Sequence, residues 1–236
     1  MVIAMNERQA FDLVAGSSKL VGAEFDALKK AIRRAHATES IYLDLEAVQE
    51  SLDGLVAIGR NPEGPKRNEV GIALFTHAVI TYARAANSSV ERFKIGIEGA
   101  YSPEQRESHD RVLTLRDKCI AHYGEGSGNW YSEKMLYVDN GTKAYLTFAH
   151  KRTHVDYWIV TVMRDLLATA IPHVTSRKNT AADRVNEEIL KLKGHGAETF
   201  LSVPFDTAQF FGKDADLNER FWEDHSFSAE VSVFKS

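Results

Sequence analysis

LRDKCIAH, residues 115–122, places an arginine, a carboxylate and a histidine (Arg116, Asp117 and His122) within seven consecutive residues. Histidine exchanges protons near neutral pH, because its ordinary pKa is about 6.5. Arginine stays charged and offers phosphate oxygens a planar, two-pronged set of donors. Cutting RNA without a metal needs a base for the 2′-hydroxyl proton, an acid for the departing 5′-oxygen and a cation for the crowded phosphate. These residue types supply all three. The aspartate can orient a motif side chain by hydrogen bonding or form a plain surface ion pair. A second pair of similar gap, Arg220 and His225, lies in the aperiodic acidic stretch DLNERFWEDH. Chance alone produces roughly one or two such pairs in a chain of this composition. Context separates them, since only Arg116 and His122 stand near the end of a well-capped amphipathic helix.

That helix is predicted from Pro103 to about His122. Ser102 can accept from an orphan backbone N–H, Pro103 suits the first helical position, and Gln105 can reach back to complete a capping box. Gly124, Gly126 and Gly128 end it. Six steps along an ideal helix turn through about 600°, which leaves Arg116 and His122 about 120° apart. Both face one substrate only if the helix loosens at its end. One chain also supplies a single motif histidine for two proton roles, and a two-fold dimer would answer both problems by setting two Arg116 and two His122 around one cleft.

The candidate RNA contacts lie nearby in sequence. His109 falls seven residues before Arg116, on nearly the same helix face, and Arg111, Lys118 and Tyr123 flank the motif. Beyond the glycines, EKMLYV and KAYLTFAH alternate or run apolar around Asp139-Asn140-Gly141, the pattern of a β-hairpin near residues 131–150. Lys143, Lys151 and Arg152 could supply cations for phosphate, and Tyr145 and His150 on the hairpin rings for base stacking. Glu104, Glu107, Asp110 and Asp117 offset much of this charge.

The remaining elements are read as helices. Apolar residues recur at helical spacing from Gly22 to Gly59, with a division expected at Thr38-Glu39-Ser40, and again from Asn68 to about Ile95. A further helix is expected from Val155 to Ile171, ending near Pro172, and another from Asn179 or Thr180 to Gly194. Residues 197–236 show no period and are expected to wrap the bundle, with Phe200, Phe205, Phe210, Phe211 and Phe221 as core anchors. The expectation is one domain over 1–236, mainly α: an up-and-down helical bundle with an inserted β-hairpin and an irregular C-terminal extension.

Taken together, the motif and its place late in a helical bundle resemble the HEPN superfamily. The resemblance in architecture covers about residues 22–195, and Arg116, Asp117 and His122 match its motif. It implies a metal-independent endoribonuclease without cofactor, acting as a homodimer with a composite site, in a toxin or defence setting with an antitoxin or regulatory partner. In some family toxins a tyrosine stands two residues after the histidine; here Tyr123 follows immediately. The alternative from a different class is a non-catalytic helical homodimer serving as a binding or scaffold module.

Composition sets the bounds. The net charge is -4, so a polyanion site must be local rather than global. Cys119 is the only cysteine, which excludes an internal disulfide or a Cys-based zinc site and fits a reducing compartment. Asn6, Glu7, Arg8 and Asp12 interrupt the first stretch, no apolar run is long enough to span a membrane, and a cytoplasmic location is expected. His150 and His154 are spaced as a metal pair, but Lys151 and Arg152 between them would repel a cation. GEGSG lacks the lysine of a phosphate loop, and Cys119 reads as a small apolar residue. His36 and His77 read as core histidines.

Overall fold

A computed structural model describes residues 8–60, 67–87, 93–121, 130–212 and 215–223. The chain forms two compact units, one of residues 33–184 and one of residues 1–32 with 185–236. Among the described residues the elements are, in order, α1 (Leu13–Lys19), a 3-10 turn (Ala23–Phe25), α2 (Asp26–Arg60), α3 (Arg67–Ala86), a second 3-10 turn (Ile97–Ala100), α4 (Pro103–Leu115), a π-helical turn (Arg116–Ala121), β1 (Tyr131–Asp139), β2 (Ala144–Arg152), α5 (Tyr157–Ile189), α6 (His195–Phe200), α7 (Thr207–Phe211) and α8 (Ala215–Glu223). The fold is thus mainly α with one two-stranded antiparallel hairpin. No helix among the described residues is long and apolar enough to cross a membrane.

In the larger unit, α2 presents Ile41, Leu45, Val48, Leu52 and Leu55 at spacings of three and four. They meet Phe75, Ala78, Val79 and Tyr82 of α3, Val112 and Leu115 of α4, and Ile159, Met163, Leu166, Ala170 and Val174 of α5 in one core. Full burial of each large side chain contributes about 1.5–3 kcal/mol. The stripe continues without interruption past Thr38, so the division expected at Thr38-Glu39-Ser40 does not occur and α2 runs for 35 residues. Thr38 is buried and returns its hydroxyl to the Arg34 carbonyl, a bond that a helix interior accepts.

The break expected at Pro172 is also absent, because α5 passes through it and continues to Ile189. Proline there removes one backbone donor at a cost of about 3 kcal/mol. Leu166, Leu167, Ala170 and Val174 are buried on either side, and their packing outweighs that local penalty. α4 starts where expected: Ser102 accepts from the Gln105 N–H while the Gln105 side chain accepts from the Ser102 N–H, with Pro103 first in the helix. α3 ends at Ala86, short of the expected Ile95, and Val90 lies outside the described residues. His36 and His77 are exposed rather than in the core, although His77 shares a hydrogen bond with the Ser51 hydroxyl at 2.8 Å.

In the smaller unit, Asp12 caps α1 by accepting from the Ala15 N–H. Phe205 N–H donates to the Ala10 carbonyl and Asp12 N–H to the Val203 carbonyl, which ties the start of this unit to its later segment. Phe200 is fully buried, and a side chain at Gly16 would sit 2.2 Å from the Phe200 carbonyl oxygen, so only glycine admits this approach of α1 to α6. Phe205 contacts the rings of Phe210, Phe211 and Phe221. Among its described residues the expected aperiodic segment therefore contains three short helices and an aromatic cluster, in which Phe210 is 70% exposed rather than the core anchor expected.

Candidate functional site

The motif begins where α4 changes its winding. His109, Val112 and Leu115 are the buried face of α4, and Leu113 and Ile120 pack partly against the same core. These residues hold the helix in register while Arg111, Asp117 and Lys118 remain exposed and Arg116 is partly so. At Arg116 the backbone leaves the α-helical repeat for a π-helical turn through Ala121. Such wider turns are uncommon and are found frequently at functional sites. The angular relation of an ideal helix therefore no longer governs the step from Arg116 to Ala121. His122 and Tyr123 lie outside the described residues, as do Gly124, Gly126 and Gly128.

Arg116 Nη1 donates to Asp117 Oδ1 at 2.7 Å, with side-chain exposures of 41% and 62%. At such exposure an ion pair contributes about 0–1 kcal/mol to stability, so its effect is mainly on the orientation of the guanidinium. The aspartate engages one nitrogen, and the fork has further donors that can reach an anion. Arg111 instead lies 5.5 Å above the half-exposed ring of Trp158, a cation–π contact that holds a cation and an aromatic plane together at the surface. Nothing in the sequence signals that pairing, since the two residues come from α4 and α5.

His109 is not at the surface with them. It is 6% exposed, and its Nδ1 lies 2.7 Å from the Tyr82 hydroxyl, which in turn lies 3.1 Å from the Tyr101 hydroxyl. A neutral ring with Nδ1 as acceptor lets Tyr82 donate to it while the Tyr82 oxygen accepts from Tyr101. Burial pushes the His109 imidazole below its ordinary pKa, the Tyr82 hydroxyl far above its own, and the Tyr101 hydroxyl up to about 12. The expectation of His109 as an RNA contact is corrected here: the residue shares the buried face of α4 with Val112 and Leu115.

The hairpin is as read, with its tip at Asp139-Asn140-Gly141. Gly141 takes φ +81°, and the Asn140 side-chain oxygen accepts from the Thr142 and Lys143 N–H groups, which favours this turn over continued strand. The register pairs Lys134 with Ala149, Met135 with Phe148, Tyr137 with Leu146 and Val138 with Tyr145. Since side chains alternate faces, Lys134, Tyr145 and Lys151 share one face, and Lys143 sits beside the tip. All four residues are exposed. Two expected contacts, Tyr145 and Lys151, thus share a face but lie at opposite ends of it; Arg152 pairs with Tyr131 at the base, one position out of phase with Lys151. Lys134 stands on the same face, a place readable by counting back from the turn.

Among the described residues no group of three His, Cys, Asp or Glu side chains is placed to hold a metal ion. A cavity of about 340 Å³ is lined mainly by Leu55, Ile58, Ile72 and Val155, with His154 and Asn68 as polar groups. Comparisons with protein-family models, curated proteins and solved structures found no match to the chain.

Proposed function

We propose that the chain is a metal-independent endoribonuclease of HEPN type that acts as a homodimer with a composite active site, and by that resemblance serves as a toxin or defence nuclease held by an antitoxin or regulatory partner. The observation that carries the reading is the π-helical turn that starts at Arg116, with the guanidinium partly exposed and steadied by Asp117. In this mechanism His122 of one copy takes the 2′-hydroxyl proton, the 2′-oxygen attacks phosphorus, and His122 of the other copy protonates the departing 5′-oxygen. A 2′,3′-cyclic phosphate and a 5′-hydroxyl result. Arg116 binds the non-bridging oxygens as charge builds on them. Lys134, Tyr145 and Lys151 on the hairpin, and Arg111 with Trp158, would hold flanking phosphates and bases.

The second reading, a non-catalytic helical homodimer serving as a binding module, is favoured by the same ion pair, because Arg116 already has a carboxylate partner. Cleavage of labelled mixed-sequence RNA in excess EDTA separates the two. The nuclease reading expects cutting by the wild type, with cyclic phosphate ends, and a loss of about 10²–10⁴-fold in Arg116→Ala and in His122→Ala. Because Arg116 and Asp117 are so exposed, Arg116→Ala should alter stability by no more than about 1 kcal/mol in denaturant unfolding. Equal inertness of all three proteins, each folded and dimeric, across RNAs and pH would discard the enzyme and leave the module.

A further inference from the structure

β1 and β2 pair with each other and with no other strand among the described residues. The base is anchored: Trp130 stacks on Phe75 with centroids 5.8 Å apart, and Thr153 N–H donates to the Trp130 carbonyl. Beyond it, both faces of the hairpin are exposed. The face opposite Lys134, Tyr145 and Lys151 carries two adjacent cross-strand pairs, Met135 with Phe148 and Tyr137 with Leu146. These four side chains are 67–71% exposed. A lone two-stranded hairpin is marginal in water, and an apolar face of this kind on it needs a cover.

We infer that this face is the seat of a second copy of the chain, the two hairpins packing face to face about a two-fold axis parallel to the strands. The inference rests on the dimeric reading above and supplies its surface. Large side chains at such exposure present on the order of 500 Å², at the upper end for a monomer and more than half of what each partner gives a stable interface. The face is also self-complementary. A two-fold along the strand direction lays β1 of one copy over β2 of the other, so Met135 meets Phe148 of the second copy and Tyr137 meets its Leu146. The same operation sets Glu133 over His150 of the second copy, in addition to the His150 that already stands across from it on its own hairpin, and repeats the contact by symmetry. Turning the axis across the strands would instead lay Glu133 over Asp139, acid on acid, which disfavours that arrangement. In the chosen geometry the two hairpin bases lie at the same end, and each base follows His122 by only a short stretch of chain. The basic faces of both hairpins point away from the interface and stay open to RNA.

The test is the mass of the full-length protein in solution, by light scattering and sedimentation over a concentration series. The wild type should be a dimer, and Leu146→Glu with Phe148→Glu should raise its dissociation constant by about a hundredfold or more. Both positions are exposed, so circular dichroism should match the wild type, and melting should fall only by the loss of the dimer's mass-action stabilisation, the two proteins converging at dilutions where both are monomeric. Tyr145→Ala with Lys151→Ala, on the opposite face, should leave the dimer intact. Glu133→Lys should weaken it and Glu133→Lys with His150→Glu should restore it. A wild type that stays monomeric overturns the inference, whether or not it binds vesicles of anionic phospholipid through the same face. A glutamate variant that stays dimeric overturns it too, and leaves the nuclease reading untouched. Monomeric glutamate variants beside a wild-type dimer that never cuts RNA would uphold the surface while removing the nuclease.

Discussion

His109 carries the clearest pH signature at the scale of single residues. Tyr82 faces it from α3, Tyr101, Glu98 and Lys94 from the segment before α4, and Asp110 from its own helix. Burial is the largest influence and lowers its folded pKa, so between that value and the unfolded value of about 6.5 the unfolded chain binds more protons than the folded one. The stabilisation is therefore complete above about pH 6.5 and is lost as pH falls through the window below it. Melting temperature should drop over that range, and His109→Phe should flatten the drop while costing about 1–3 kcal/mol at neutral pH by leaving Tyr82 without its acceptor. An unflattened drop in the variant would assign the titration to another group. His109 was misread because spacing places it on nearly the face of Arg116. The two part because a long arginine can carry its charge outward from a half-buried position.

Among the elements, α5 shows a local signal overruled by packing. Pro172 is exposed within a helix whose neighbouring turns bury Leu166, Leu167, Ala170 and Val174. Restoring the backbone donor without losing buried surface should therefore stabilise the fold, and Pro172→Ala is expected to gain about 2 kcal/mol, the helix penalty less the entropy that proline removes from the unfolded chain. Urea unfolding checks this, and a neutral or destabilised variant would mean that the ring itself packs. The start of α4 is the opposite case. Its capping box needs only residues 102–105, so it was legible, and Ser102→Ala should cost about 1 kcal/mol in the same assay.

For the whole molecule the governing quantity is a net charge of -4, so a polyanion site must be local. If Lys134 and Lys151 on one hairpin face contact phosphates, each lysine replaced by alanine should lower the salt dependence of single-stranded RNA binding by about 0.7 in the log–log slope. The binding would be measured with His122→Ala protein so that the RNA stays intact. Unchanged slopes in both variants would move the RNA from the hairpin to another surface.

What the sequence by itself determined is the content of short spans: the helical stripes of α2 and α3, the cap of α4, the hairpin and its turn. Each of these depends on hydrogen bonds or periodicities within a few residues. From the turn onward it also determined which hairpin residues share a face, since side chains alternate strictly along a strand. Only the tertiary structure decided that α2 and α5 run unbroken, that His109 joins Tyr82 and Tyr101 inside, that Arg111 meets Trp158, and that the apolar hairpin face stands open. Those outcomes depend on which distant surfaces meet, and the burial they bring is large enough to override a proline, a polar residue or a single periodic match.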